Sequence, residues 1–196
     1  MIRTVLLFIL LIGVGNIFAQ STHDFYSISQ QTNKIGMYVL GTWALTNIAT
    51  GAYGWNRYDG SQKYFYQMNL MWNVVNLGIA GYAMYSFSQS DPLTMTASEM
   101  LSDHLSKENL FLINAGLDVL YMSGGFYMRH LARQGHKRAE MIKGYGNSVI
   151  LQGGFLMAFD LVMYFIQRQH RLSYDPGIFS LNLGLTPDGI GMVIGL

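Results

Sequence analysis

The sequence predicts an all-α membrane fold: a four-transmembrane-helix bundle with a C-terminal β-hairpin. Three observations predict it. Hydrophobic residues make up 51% of the 196 residues and charged residues only 12%, about half the charge of a soluble domain, with a mean hydropathy of +0.21. The charges cluster between four runs, residues 36–55, 64–87, 109–128 and 144–166, which contain no Lys, Arg, His or Glu. Beyond residue 179 the apolar residues recur at every second position, the period of a strand.

Residues 1–19 read as a signal peptide. Arg3 gives the positive start, residues 5–14 are apolar apart from Gly13, and Ala19 is a small residue at the cleavage position. The alternative is an uncleaved anchor, but the apolar run falls short of the roughly 20 residues that cross a bilayer. Residues 20–172 then form the helical domain and residues 173–196 an extracytoplasmic hairpin.

Each of the four runs is long enough to span, and a helix pairs its backbone groups internally where lipid offers none. Loop charge orients them. The connection between the third and fourth runs carries Arg129, Arg133, Lys137, Arg138 and Lys143 against Glu140, while that between the second and third carries Lys107 against Asp91, Glu99, Asp103 and Glu108. Basic loops stay cytoplasmic, so the expectation is a cytoplasmic (inner) membrane protein with both mature termini outside. Arg57 and Lys63 fall on the basic side, whereas Arg168 and Arg171 run against the rule. In the outer loop, Thr96 with Glu99 is a capping box and predicts a short surface helix over 97–105.

The polar residues within the runs are the candidate site. The first run holds Asn47, the second Asn69, Asn73 and Asn76 at i, i+4 and i+7, the third Asn114 and Asp118, and the fourth Gln152 and Asp160, with Ser148 beside them. A central Asp facing lipid costs about 2.5–3.5 kcal/mol, so these faces should turn inward. Nearby glycines let helices approach closely. Asp118 and Asp160 have no Lys or Arg at depth, and desolvation favours the neutral acid. The cluster reads either as glue between helices, at about 0.6 kcal/mol per hydrogen bond, or as a binding site or pathway for protons or cations.

The tail places Phe179, Leu181, Leu183 and Leu185 on one strand and Ile190, Met192, Ile194 and Leu196 on the next, across the turn 186–189. An isolated two-stranded hairpin is marginal in water. It therefore folds back on the bundle or docks another copy or a protein partner through residues 179–196.

Other chemistry is not favoured. Cysteine is absent, which removes disulfides and thiolate ligation. Net charge is +1, with no basic field for nucleic acid. The histidines all lie outside the four runs, no HExxH spacing occurs, and neither a G-x-S-x-G turn nor a phosphate-binding glycine loop is present. No catalytic residue, metal ligand or cofactor is singled out; Asp160 with Tyr164 is the thin enzymatic candidate. The composition favours a non-enzymatic membrane component or subunit, with a small transporter or proton/ion pathway as the alternative.

The stretch 69–81, NLMWNVVNLGIAG, together with NAGLD at 114–118 and QGGF at 152–155, resembles an uncharacterised family of bacterial four-helix integral membrane proteins. The resemblance implies four spanning helices and carries no assigned activity.

Overall fold

The computed structural model describes residues 22–174 and the backbone of 181–186 and 189–194. The signal peptide expected at 1–19 lies outside the described residues. Four long helices follow one another: α1 (Thr22–Arg57), α2 (Gly60–Gln89), α3 (Ala97–Arg133) and α4 (Ala139–Tyr174), with a single 3-10 turn (Pro92–Thr94) between α2 and α3. Successive helices run antiparallel. α1 packs along α2, α3 along α4, and α2 against α4, while α1 touches α3 and α4 less extensively.

Local chemistry sets the ends. Thr96 and Glu99 form the full capping box that starts α3. At α2 the N-cap Asp59 makes no side-chain cap bond. Instead Glu140, from the first turn of α4, accepts the Ser61 N–H at 2.7 Å, so one helix caps its neighbour. Gly135, at φ +77°, takes the left-handed conformation just past α3.

Glycine allows the closest helix approach. A Cβ on Gly144 would lie 2.7 Å from Tyr64 Cβ and 2.8 Å from Phe65 N, so α4 and α2 meet there backbone to backbone.

The expected fold class is corrected in two respects. Among the described residues only α3 and α4 are long and apolar enough to cross a membrane, by length and composition. The runs in α1 and α2 lack charge, but lack of charge is not apolarity: with three Asn in α2, and Thr, Asn and Gly in α1, neither helix holds an 18-residue stretch as apolar as the best ones of α3 and α4. The packed fold is a body of four helices, and among the described residues no hairpin domain completes it. The segments Leu181–Thr186 and Gly189–Ile194 pair in antiparallel register only with each other. The side chains that were to give that pair an apolar face lie outside the described residues.

The connection between α2 and α3 is also shorter than expected. Residues 97–105 are the opening turns of α3 rather than a separate surface helix, and Met100 and His104 there are buried. α1 starts at Thr22 and α4 runs to Tyr174, so three helices extend well beyond the uncharged runs. At 1.5 Å per residue α3 spans about 55 Å, against about 30 Å of hydrocarbon.

Radial polarity is inverted relative to a water-soluble bundle. Asn33, Asn69, Asn73, Ser148 and Gln152 are among the most buried side chains, while Val75 is 61% exposed, Leu120 66% and Phe165 59%.

Candidate functional site

The interior holds two polar layers. The deeper one is built from the residues that the sequence singles out. Asn69 is its hub: its Nδ2 donates to Asn47 Oδ1 at 2.8 Å, and its Oδ1 accepts from Gln152 Nε2. Asn47 Nδ2 donates to the Trp43 carbonyl at 2.8 Å. Trp43 Nε1 closes the circuit by donating to Gln152 Oε1 at 3.0 Å, and its ring stacks on Phe155 at 3.8 Å. Asn73 Nδ2 donates to the Asn69 carbonyl at 2.7 Å, and Asn76 Nδ2 donates to Asn73 Oδ1 at 3.4 Å. Three helices, α1, α2 and α4, are thereby stitched by amides that use one another's donors and acceptors.

Asp118 of α3 and Asp160 of α4 are buried side by side, within hydrogen-bonding reach of each other. A bond between two carboxyls requires one of them to hold the proton. Asp118 Oδ2 finds no protein donor. Asn114 is the exception among the expected residues: it is half-buried and joins none of these bonds.

The second, outer layer lies toward one end of the bundle, at the Thr22 end of α1, the Ala97 end of α3 and the Tyr174 end of α4, and sequence reasoning missed it. His104 is fully buried, with Nδ1 2.7 Å from Ser29 Oγ and Nε2 3.2 Å from the Gln167 carbonyl. A carbonyl only accepts, so Nε2 carries the hydrogen and Ser29 donates to Nδ1. Gln167 Nε2 donates to Asn33 Oδ1 at 2.8 Å and to the Ser29 carbonyl at 3.2 Å. Glu108 receives a fork from Arg171, Nε to Oε2 at 2.7 Å and Nη2 to Oε1 at 2.9 Å. At the rim Tyr26 donates to Asp103 at 2.8 Å, which also pairs with Lys107 at 2.6 Å. Phe25 stacks on His170 at 4.6 Å and packs on His104 at 4.8 Å.

This layer lies beyond the uncharged stretches 109–128 and 144–166, and its titrations follow from its burial. Desolvation, reinforced by His170, pushes His104 down to about 4. Desolvation and the Asp103 carboxylate push Tyr26 up to about 12. The layer was readable in principle. Tyr26, Gln30 and Asn33 stand at i, i+4 and i+7, His104 and Glu108 at i, i+4, and Gln167 and Arg171 at i, i+4. That is one polar face on each helix.

Chemically the two layers are cross-links. The amides of the first layer bond chiefly to one another, with Ser148 Oγ left unpartnered, and the outer layer buries a histidine beneath Phe25 and an ion pair beside it.

The model of DUF6992, a family of unknown function, matches residues 39–161, and the chain belongs to that family. All eight residues of the expected cluster fall inside the matched stretch, whereas Ser29, Asn33, Gln167 and Arg171 of the outer layer fall outside it. No curated protein and no solved structure matches the chain.

Proposed function

We propose, for this member of a family of unknown function, a membrane-embedded protein of non-enzymatic role, a component or subunit whose polar interior holds its helices together. The observation that carries the reading is the inverted polarity: a wholly buried amide lattice beneath an exterior of Leu, Val, Ile and Phe. In water such an exterior gains nothing and invites association. In hydrocarbon the exterior is solvated, and amides are driven to pair with each other. The apolar α3–α4 hairpin crosses the bilayer, with its basic connection, residues 134–138, on the cytoplasmic side. The Thr22 end of α1 and the Tyr174 end of α4 then lie outside, and the α1–α2 hairpin packs beside α4. What supports the non-enzymatic role is that the amides of Asn47, Asn69, Asn73 and Gln152 bond chiefly to one another, although Asn33 Nδ2 and Ser148 Oγ are left without a partner.

A second reading, a proton or cation pathway, is favoured by one observation: the unpaired Asp118 Oδ2 beside Asp160. Two measurements test these readings. Carbonate extraction of membranes from expressing cells should leave the protein in the pellet; release into the supernatant would sink the membrane reading. Liposomes holding the purified protein should show no proton or sodium flux. Flux in wild type that vanishes in Asp118→Asn and Asp160→Asn would replace the structural role with the pathway.

A further inference from the structure

We infer that the connection between α3 and α4 binds the phosphate of an anionic phospholipid headgroup, in a cavity walled by His136, Lys137, Arg138 and Tyr64. The inference rests on the membrane reading above and adds a ligand class to it. The cavity measures about 490 Å³, is open to the surface, and is lined also by the first turn of α4, Ala139 to Met141. That volume lies within the roughly 300–1,000 Å³ of small-molecule sites.

Its charge is unspent. Lys137 and Arg138 are exposed, and neither enters any of the ion pairs among the described residues. The one acid on the wall is already committed: Glu140 points its carboxylate at α2, where it accepts the Ser61 N–H at 2.7 Å. That bond turns the carboxylate toward α2 without cancelling its charge, so the wall carries two cations against one anion. The N–H groups of Glu140 and Met141 border the same cavity and have no backbone acceptor, because the bonds at this end are Ala139 to His136 and Ile142 to Arg138.

Position selects the source of the phosphate. The cavity lies at the connection that follows α3, and the last turns of α3 before it leave Phe126 and Tyr127 exposed. Tyr64 on its wall packs edge-on against Tyr145, with centroids 6.0 Å apart, an aromatic pair at headgroup depth. A lipid whose phosphate meets Lys137 and Arg138 can lay its acyl chains along that exterior. Basic pockets at helix ends on the cytoplasmic side suit anionic headgroups.

The test is native mass spectrometry of the full chain in detergent, with phosphatidylglycerol, phosphatidylcholine or inorganic phosphate added in turn. Wild type should retain phosphatidylglycerol in preference to phosphatidylcholine. Lys137→Gln with Arg138→Gln should weaken that retention roughly thirtyfold, and Arg57→Gln with Lys63→Gln, at the neighbouring connection, should leave it intact. Equal loss in both pairs would mean diffuse charge attraction and overturn the site. Retention of inorganic phosphate without a lipid preference would overturn the lipid as its source. All four substituted side chains lie at helix ends outside the buried layers, and matched unfolding temperatures in phosphatidylcholine check that the variants fold. A protein that pellets with membranes yet ignores headgroup charge sinks this inference alone; one that fails to pellet sinks the membrane reading.

Discussion

Arg171 clamps both oxygens of Glu108, Nε to Oε2 at 2.7 Å and Nη2 to Oε1 at 2.9 Å, joining the last turn of α4 to α3. The Glu108 side chain is only 4% exposed and that of Arg171 12%. Removing one partner of a buried pair strands the other charge, at a cost of about 3–5 kcal/mol, whereas replacing both with apolar groups is often neutral. Arg171→Met should therefore lower unfolding stability in micelles by that amount, and Arg171→Met with Glu108→Leu should restore most of it. A single variant within about 1 kcal/mol of wild type, the scale of exposed pairs, would mean that the fork is solvated.

His104 gives the outer layer a pH dependence. Burial holds its pKa at about 4 against 6.5 for a free imidazole, with the His170 ring and Arg171 adding to the fall and Glu108 opposing it. Between pH 6.5 and about 4 the unfolded chain takes a proton that the folded chain refuses. Stability therefore falls as the pH drops through that window, by up to about 3 kcal/mol. Chemical unfolding measured at half-unit steps should show this slope, and His104→Gln should flatten it. A slope unchanged in that variant would assign the effect to another group.

How much of this was legible in the sequence differs by layer. The deep amides were readable because Asn69, Asn73 and Asn76 interrupt an otherwise uncharged run at helical spacing, and an unpaired amide has nowhere to go but inward. The outer layer was not read, because charge was taken to end a helix. Glu108 and Lys107 mark where the uncharged run begins, but α3 continues through them for three more turns, since their charges are paired rather than solvated. The same habit counted four spans. α1 and α2 are free of charge over their runs yet rich in Asn, Thr, Gly and Tyr, and hydropathy weighs those residues where a charge count does not.

Two glycines separate close approach from mere abundance. A Cβ at Gly144 would meet the Phe65 amide nitrogen at 2.8 Å, while one at Gly124 would have nothing within 4 Å. Gly144→Ala has to push α4 away from α2 and should cost about 1–3 kcal/mol, the range of overpacked sites. Gly124→Ala should be neutral or mildly stabilising, because alanine favours helix more than glycine does. Unfolding of the two variants side by side checks the contrast, and equal effects would mean that α2 and α4 are not held at this distance.

The bond from Trp43 Nε1 to Gln152 Oε1, 3.0 Å long, offers a measure of the solvent in which the bundle folds. Trp43→Phe removes the donor and keeps an aromatic ring against Phe155; Gln152→Leu removes the acceptor at similar size. The coupling between the two substitutions isolates the bond. In a water-soluble protein a buried hydrogen bond contributes about 0.5–1.5 kcal/mol, and an orphaned partner costs about 1–3 kcal/mol. Between membrane helices the average is near 0.6 kcal/mol, because helices separated in lipid still find other partners. Gln152 also donates to Asn69, so the single Gln152→Leu variant loses more than the coupling alone. The expected coupling is about 0.6 kcal/mol, measured by unfolding in lipid nanodiscs. A value of 2 kcal/mol or more would mean that the unfolded state leaves these amides without partners, which is difficult to reconcile with helices that remain in the bilayer after they separate.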